Sequence, residues 1–517
     1  VSDRRQQIFG RWASHVYDVL VVGGGITGVG VARDAALRGL SCALVERGDF
    51  ASGTSSRSGK LIHGGLRYLK HFHIRLVREA CRERWLLFSR VAPHLVRPVR
   101  FVVPFYRHSR TPRWMMAAGL LLYDLLSLFR KSGRFRFLSV RALSEAEPHL
   151  SIRDCVGGLA YWDCQCLDFR LVIDTLKSAV AAGTDALNYA ELVRVERTRG
   201  LWMATIRDVA SGGEHLLQAR TIVNAGGPWA DDVQQRLGAS ERFGLQITAG
   251  IHLVFSRQRL PVRNTLALEV PGDVRMIYVV PWGDFALAGT TDTFYSGDKD
   301  RLAVPDESVA YLLEALNAHF PDVGLTQADV HSSFVGLRPL VGSDQGLRED
   351  DLPRDDQVII DDDGLVSITG GKLTTYRAMA ERVVDLLARR FFTDRPLRRC
   401  GTIAAISGGD GRLPDNASSR LRDLWSRYGS NAWTIERLID ATPEHGQPID
   451  QHAPFLWAEV VYAVEHEFVE RLDDLVERRL GAFLLAPNAP LAEKVARMLG
   501  LDESGLIARR TGWGTRT

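Results

Sequence analysis

The sequence predicts an α/β fold with an inserted β-rich region and a separate all-helical C-terminal domain, and three observations predict it. First, Tyr17 to Val22 is an apolar strand pattern running into Gly23-Gly-Gly-Ile-Thr-Gly28, an Ala-rich helical segment, and a second apolar strand from Ser41 to Val45 that ends in Glu46. Second, two later apolar strands also end in glycine turns, Thr221-Ile-Val-Asn-Ala-Gly-Gly-Pro-Trp-Ala230 and Gly364-Leu-Val-Ser-Ile-Thr-Gly-Gly-Lys-Leu-Thr-Thr-Tyr376. Third, after about Pro396 the pattern changes to long charged amphipathic helices such as Ala458 to Leu480.

The elements follow in order. Residues up to about Val16 are polar and Arg-rich and form a mobile or helical lead-in. The next unit is Rossmann-like: Gly23 permits the tight turn, Gly25 lets the backbone approach a pyrophosphate, and Gly28 lets helix pack on strand. The free N–H groups at the helix start face the phosphates. Glu46, eighteen residues beyond Gly28, is placed to accept hydrogen bonds from an adenosine ribose and would repel a phosphate there, which disfavours NADP. One such motif does not separate NAD from FAD. The two returns at Ala225-Gly226 and Gly370-Gly371 do, because a chain that revisits its cofactor twice after long insertions matches FAD-binding oxidoreductases.

Between these turns, the small-residue loop from Ser52 to Gly65 leads into an amphipathic helix reaching about Val91. The β-rich middle, residues 244–339, contains strand patterns at His252 to Phe255, Met276 to Pro281 and Phe285 to Gly289, with further strands at Val358 to Ile360 and Leu365 to Ile368. The expected organisation is a flavin domain over 1–396, with its N-terminal βαβ and loop at 17–90 and the inserted substrate region at 244–339, then a helical domain over 397–517.

Composition narrows the function. With 517 residues, 45% hydrophobic and 25% charged, the chain is globular, and a net charge of +3 gives no argument for nucleic acid. Six scattered cysteines and the absence of an N-terminal apolar run suggest a reducing compartment without disulfides. Cys164-Gln-Cys166 lacks the spacing of a zinc site, so no metal is expected. From Arg97 to Arg136, nine Arg or Lys residues face one acid, Asp124, and bracket the mostly apolar stretch from Trp114 to Phe129. Its sixteen residues fall short of the roughly 20 of a membrane span. The pattern suits either a helix lying on an anionic membrane or a buried helix with solvated ends.

Five motifs then carry a resemblance: Thr54-Ser-Ser-Arg-Ser-Gly-Lys-Leu-Ile-His-Gly-Gly-Leu-Arg-Tyr-Leu69, Val223-Asn-Ala-Gly-Gly-Pro-Trp229, Gly289-Thr-Thr-Asp292, Gly336-Leu-Arg-Pro-Leu340 and Gly370-Gly-Lys-Leu-Thr-Thr-Tyr-Arg377. In order and spacing the chain resembles the FAD-dependent, quinone-linked (aerobic) glycerol-3-phosphate dehydrogenase family. Tyr428-Gly-Ser-Asn431 and Glu465-His-Glu-Phe-Val469 extend the match into the helical domain. Two departures are Gly59, where Ser or Thr is usual, and Phe169, where Ala is common.

The resemblance implies that Arg67, Tyr68, His252, Thr291, Arg338 and Lys372 gather around flavin and substrate. Taken singly, the cations could be surface ion-pair members and His252 a core histidine. Arg67, Tyr68, Thr291, Arg338 and Lys372 are the expected substrate contacts, since arginine and lysine hold a phosphate monoester by charge-assisted hydrogen bonds. His252 is the candidate base, Arg338 the stabiliser of the developing alkoxide, and Lys372 acts near the oxygen or the flavin. The expected cofactor contacts are Gly23, Gly25, Ile26, Thr27 and Gly28; Glu46 and Arg47; Thr54, Ser55, Ser56, Lys60, Leu61, Ile62, His63, Gly64 and Gly65; Ala225 and Gly226; and Gly370, Gly371, Lys372, Leu373 and Thr374. FAD is expected to be non-covalent, with His63 packing beside it.

The implied reaction oxidises sn-glycerol 3-phosphate to dihydroxyacetone phosphate by hydride transfer to flavin N5. The resemblance implies a membrane quinone as electron acceptor, and the chain fits it in having no second dinucleotide motif and no iron–sulfur cysteine set. That favours the membrane role for the Trp114 segment and a peripheral place on the cytoplasmic face of the inner membrane; a homodimer is the expected assembly. The competing readings are a dehydrogenase of another polyol phosphate such as erythritol phosphate, an oxidase using oxygen, and a non-catalytic flavin protein.

Overall fold

Strands buried on both faces read as unbroken apolar runs, and Val19, Leu20 and Val21 are fully buried in the middle of the first sheet. The computed structural model describes residues 2–66, 73–127, 133–239, 241–273, 275–341, 356–487 and 490–500. Its first sheet has a parallel core ordered 365–370, 214–224, 16–22, 42–45, 185–187. Val19 pairs with Thr221 on one side and Cys42 on the other, and Ile222 pairs with Leu365. This register brings the glycine turns together at the carboxyl ends of the strands. A Cβ on Gly23, whose φ is +113°, would lie 2.5 Å from the Ala225 carbonyl oxygen.

The helix Ile26–Arg38 packs between the helices Asp168–Ala181 and Tyr376–Phe391. Its approach to the first strand requires Gly28, where a Cβ would fall 1.9 Å from the Gly23 oxygen. The lead-in forms a helix, Ser2–Ser14, that buries Ile8, Phe9 and Trp12 against the outer part of this sheet. Its Arg5 donates to Asp208 at 2.6 Å.

The second sheet has ten strands among the described residues. The expected 244–339 region supplies six of them, and four more, at 61–62, 97–106, 136–138 and 155–165, come from outside it. Arg97–Tyr106 pairs antiparallel with Cys155–Gln165 and parallel with Thr265–Glu269. Such pairings join segments far apart in sequence and leave no local signal at the strand. One face of this sheet packs on the helix Asp306–His319 through Leu312, Leu316 and Phe320.

The C-terminal region is helical, but the expected helix over 458–480 is interrupted. Trp457–His466 ends at Glu467, Phe468 takes φ +58°, and a wider helical turn follows over Asp474–Leu480. The cause is electrostatic. Glu467, fully buried, turns inward to accept two hydrogen bonds from Arg170 at 2.7 and 2.8 Å, and Asp49 in the nucleotide unit accepts from Arg478 at 2.7 Å and Arg479 at 2.8 Å. These pairs join the helical region to the nucleotide-binding unit.

Burial alone would raise the Glu467 carboxyl, but Arg170 and then Lys177 hold it down to about 2. The stability it contributes is therefore complete above its ordinary value of 4.5 and lost as pH falls through about 2. Glu467→Gln, which removes the carboxylate shared by Arg170 and Lys177 and leaves Arg170 only the Asp174 carboxylate at 3.2 Å, should cost up to about 3 kcal/mol near neutral pH. Thermal unfolding of the two proteins checks this, and the gap should narrow in acid below the ordinary carboxylate range.

Candidate active site

The three glycine turns, the 52–66 loop and the second sheet enclose one cavity of about 1750 Å³. At its nucleotide end, Glu46 accepts hydrogen bonds from Gly24 N at 2.7 Å and Gly48 N at 2.8 Å. Burial pushes its carboxyl up, and these two amides oppose the rise. Arg47 pairs with Asp300 and lies over the Trp229 ring, 5.0 Å from its centroid, while Lys299 pairs with Asp232. The second sheet is thereby clasped to the nucleotide unit across the cavity mouth.

The fit to FAD is physical. A dinucleotide needs backbone at close range and a helix start facing its phosphates. Gly23, Gly25, Ile26, Thr27, Ala225, Gly226, Gly370 and Gly371 line the cavity, with Gly25 capping the helix that begins at Ile26. Gly371 has φ +73°. Gly28 stands back from the wall as the packing glycine.

The 52–66 loop forms the middle of the wall. Thr54 Oγ1 donates to the Leu337 carbonyl at 2.7 Å, Ser55 Oγ accepts from Ile26 N at 3.0 Å, and His63 N donates to Thr374 Oγ1 at 3.1 Å. Thr54, Ser55, Leu61, His63 and Gly65 line the cavity, as do Arg47, Glu46, Lys372, Leu373 and Thr374. Ser56, Lys60, Ile62 and Gly64 lie behind it. Lys60 is fully buried, 2.7 Å from Asp168 and 5.1–5.8 Å from the ring centroids of Phe169, Phe334 and Phe483. Gly64 donates its N–H to the Tyr123 hydroxyl at 2.8 Å, and a Cβ there would collide with that oxygen at 2.4 Å.

Two sequence departures find their reasons here. The large Phe169 ring is accommodated because Gly481 has no side chain; a Cβ there would be 2.4 Å from Phe169 Cζ. Gly59 leaves space beside the imidazole of His252, since a Cβ would lie 3.3 Å from Nε2.

His252 is held on the strand Gln246–Ser256, 4% exposed and stacked on Phe334 at 4.9 Å. Its Nδ1 makes no hydrogen bond among the described residues. Burial, then the charges of Arg338 and Lys60, pushes its pKa well below 6.5, so the ring is neutral near physiological pH. Arg338 on the neighbouring strand donates to Asp292 Oδ1 and Thr290 Oγ1, each at 2.8 Å, and to the Thr291 carbonyl at 3.3 Å. Gly250 makes room for its guanidinium, which a Cβ would meet at 2.2 Å. Thr291 does not reach the cavity; its hydroxyl accepts from Ile251 N at 3.1 Å and so braces the strand beneath Arg338.

The structure thus brings His252, Arg338 and Lys372 to the lining of one cavity. Arg67 and Tyr68 lie outside the described residues. Sequence reasoning passed over Asp292 and Thr290, the anchors of Arg338, although both stand inside the Gly289-Thr-Thr-Asp292 motif. It also missed Asp168, Tyr123 and Asp163, whose partners are distant in the chain.

Comparison with known proteins agrees with the fold and with an FAD cofactor. Residues 18–386 match the family of FAD dependent oxidoreductases, and residues 411–502 match the C-terminal domain of alpha-glycerophosphate oxidase. The aerobic glycerol-3-phosphate dehydrogenase of Staphylococcus saprophyticus is 34% identical over 505 residues, covering 92% of this chain and 89% of that protein. The glycerol-3-phosphate dehydrogenase from Bacillus halodurans, solved in complex with FAD, superposes with a TM-score of 0.79 at 31% identity, covering 97% of this chain and 94% of that one. The L-alpha-glycerophosphate oxidase from Mycoplasma pneumoniae, with FAD bound, shares the fold at a TM-score of 0.57 and 19% identity over 77% of this chain and 99% of its own.

A depressed imidazole pKa has a thermodynamic signature. Below about pH 6.5 the unfolded chain binds a proton at His252 that the folded chain does not, so stability is lost as pH falls from 6.5 toward the folded value. The stability of wild type relative to His252→Gln should therefore decline in this window, by up to about 1.4 kcal/mol per pH unit for one proton. Unfolding of both proteins from neutral to mildly acidic pH measures it.

Proposed function

Because this chain belongs to the FAD-dependent oxidoreductase family that includes the aerobic glycerol-3-phosphate dehydrogenases, we propose that it oxidises sn-glycerol 3-phosphate to dihydroxyacetone phosphate and passes the electrons to a membrane quinone. The observation that carries the reading is that a buried neutral histidine, an arginine and a lysine line the same cavity as the three glycine turns.

Bound non-covalently, FAD supplies the hydride acceptor at N5. The chain does the rest. Arg338 and Lys372 hold the substrate's anionic and developing alkoxide oxygens, with Arg338 kept in place by Asp292 and Thr290. With the proton of the neutral ring on Nδ1, Nε2 of His252 is the acceptor for the C2 hydroxyl proton, and Gly59 leaves that nitrogen approachable. Arg67 and Tyr68, part of the same motif, complete the substrate contacts in this proposal.

The acceptor side rests on the helix Arg113–Leu126. Trp114 is 72% exposed, Leu121 61% and Leu125 57%, an outward stripe that is apolar rather than charged. Exposed Arg107 and Arg110 precede it, exposed Arg113 begins it, and Arg134 and Arg136 follow. Among the described residues no helix is long and apolar enough to cross a membrane. An apolar stripe between arginines suits peripheral attachment to anionic lipid, each cation adding about 1 kcal/mol near the surface.

Anaerobic mixing of the yellow protein with sn-glycerol 3-phosphate should bleach its visible flavin absorbance, and a quinone should restore it. Bleaching only by another polyol phosphate would reassign the substrate; restoration by oxygen alone would make the protein an oxidase. His252→Gln should slow bleaching about 10²- to 10⁴-fold with normal flavin content. Arg338→Lys, which keeps the charge but loses the planar fork, should slow it about 10²-fold or more. Acid precipitation should release all the yellow colour.

A further inference from the structure

Ser58, Gly59 and Leu61 line the cavity, while Lys60 between them lies behind its wall, fully buried. Lys60 also holds φ +58°, a left-handed conformation that is costly for any residue with a side chain and persists only where the surroundings impose it. Here the bonds that impose it are on every side. The Lys60 N–H donates to Ser58 Oγ at 3.1 Å, its carbonyl accepts from Cys166 N at 2.8 Å, and its ammonium donates back to the Ser56 carbonyl and across to Asp168 Oδ1 at 2.7 Å. The other Asp168 oxygen accepts from Ser58 N at 3.1 Å and from its hydroxyl at 2.6 Å.

Two contacts connect this pair to His252. The Phe334 ring centroid is 5.2 Å from the ammonium, and the same ring stacks on the imidazole at 4.9 Å with the planes 15° apart. Gly59, next to Lys60 in the chain, stands against the imidazole, since a Cβ there would lie 3.3 Å from Nε2. The charges acting on the imidazole are Lys60 from this turn and Arg338 from the neighbouring strand, each held by a carboxylate, Asp168 and Asp292; of the other titratable groups, His63, Asp163 and Lys372 line the same cavity. Neutral side chains of similar volume often serve a core as well as a buried ion pair does, so filling space does not account for a charged pair at this point.

We propose that Lys60, held by Asp168, is a positioning residue for the oxidation: through the 56–60 turn and the Phe334 ring it sets the place of the His252 imidazole, and its charge acts on that ring. The inference rests on the reading of His252 as the base and adds to it a residue outside the cavity lining. Both cations oppose a proton on the imidazole, and Lys60 does so from a site where the Phe169, Phe334 and Phe483 rings surround the charge.

Lys60→Met or Asp168→Asn alone would leave one buried charge uncompensated, so the decisive protein is the double variant, Lys60→Met with Asp168→Asn, in which neutral side chains of similar size replace the pair. It should keep its full complement of FAD yet bleach with sn-glycerol 3-phosphate about 10- to 100-fold more slowly at mildly alkaline pH, where the imidazole is neutral in both proteins. The acid limb of its bleaching rate should also move to higher pH, because one of the two cations opposing protonation is gone. Magnetic-resonance titration of the FAD-loaded proteins, isotope-labelled at histidine Cε1 and with the His252 signal assigned by its loss in His252→Gln, should show the same upward move without substrate. A wild-type bleaching rate or an unmoved His252 titration in the double variant overturns the proposal. So does a double variant that takes up no FAD, since the pair would then serve folding. Full bleaching by His252→Gln overturns the base and this proposal together. Failure of sn-glycerol 3-phosphate to bleach the wild type overturns the substrate reading alone, and the titration still decides whether Lys60 acts on the imidazole.

Discussion

The ammonium of Lys60 lies 2.7 Å from Asp168 with both side chains fully buried, and the loop at the centre of the cavity folds around that pair. Asp168 begins the helix that packs on the nucleotide-binding helix, so the pair ties the loop to the Rossmann-like core. Ser58 donates its N–H and hydroxyl to the second Asp168 oxygen, and Lys60 also donates to the Ser56 carbonyl. The carboxylate therefore fixes successive residues of one turn. The Phe169, Phe334 and Phe483 rings exclude water from the charge, and Phe334 also stacks on His252. A buried pair of this kind adds less stability than its Coulomb energy suggests, but removing one partner leaves an uncompensated charge inside the protein. Its contribution here is position: it sets the loop, the shelf under the imidazole and part of the positive field that keeps that imidazole neutral.

That single field links the two halves of the site. The charges of Lys60 and Arg338 both disfavour protonation of His252, and Arg338 is itself anchored by Asp292 and Thr290 on the adjacent turn. Cation, imidazole and cofactor wall are thus set by elements from both sheets, and the clasp of Arg47 on Asp300 and Lys299 on Asp232 joins those sheets at the nucleotide end. The helical C-terminal region adds Phe483 to the cage around Lys60 and reaches the nucleotide unit through Asp49.

What the sequence made legible was what is local. Gly23, Gly25, Gly28 and Glu46 fall within one βαβ unit, and their spacing alone states the turn, the close approach of helix to strand and the acid at the end of the second strand. The strands at 97–106 and 155–165 were not legible, because their hydrogen bonds run to each other and to Thr265–Glu269. Lys60 reads as a cofactor contact in a loop of small residues; its partner stands 108 positions away. The helix from Arg113 is recognisable as apolar, yet an apolar helix has the same composition whether its stripe faces a core or a bilayer, and only packing separates them. The depressed pKa of His252 is likewise a property of its surroundings, which no spacing encodes.

Arg338 and Lys372 stand ready-made on the wall, and Arg338 is already gripped by a carboxylate, a hydroxyl and a carbonyl. On the function proposed above, a preassembled cationic wall bears on discrimination between a phosphorylated polyol and the free polyol of the same skeleton. The two have nearly the same shape at the reacting carbon, so steric fit offers little selectivity. The phosphate ester would gain charge-assisted hydrogen bonds from these cations that the free polyol cannot make. The free polyol would thus be passed over for the bonds it cannot make, without a gate or a clash to exclude it.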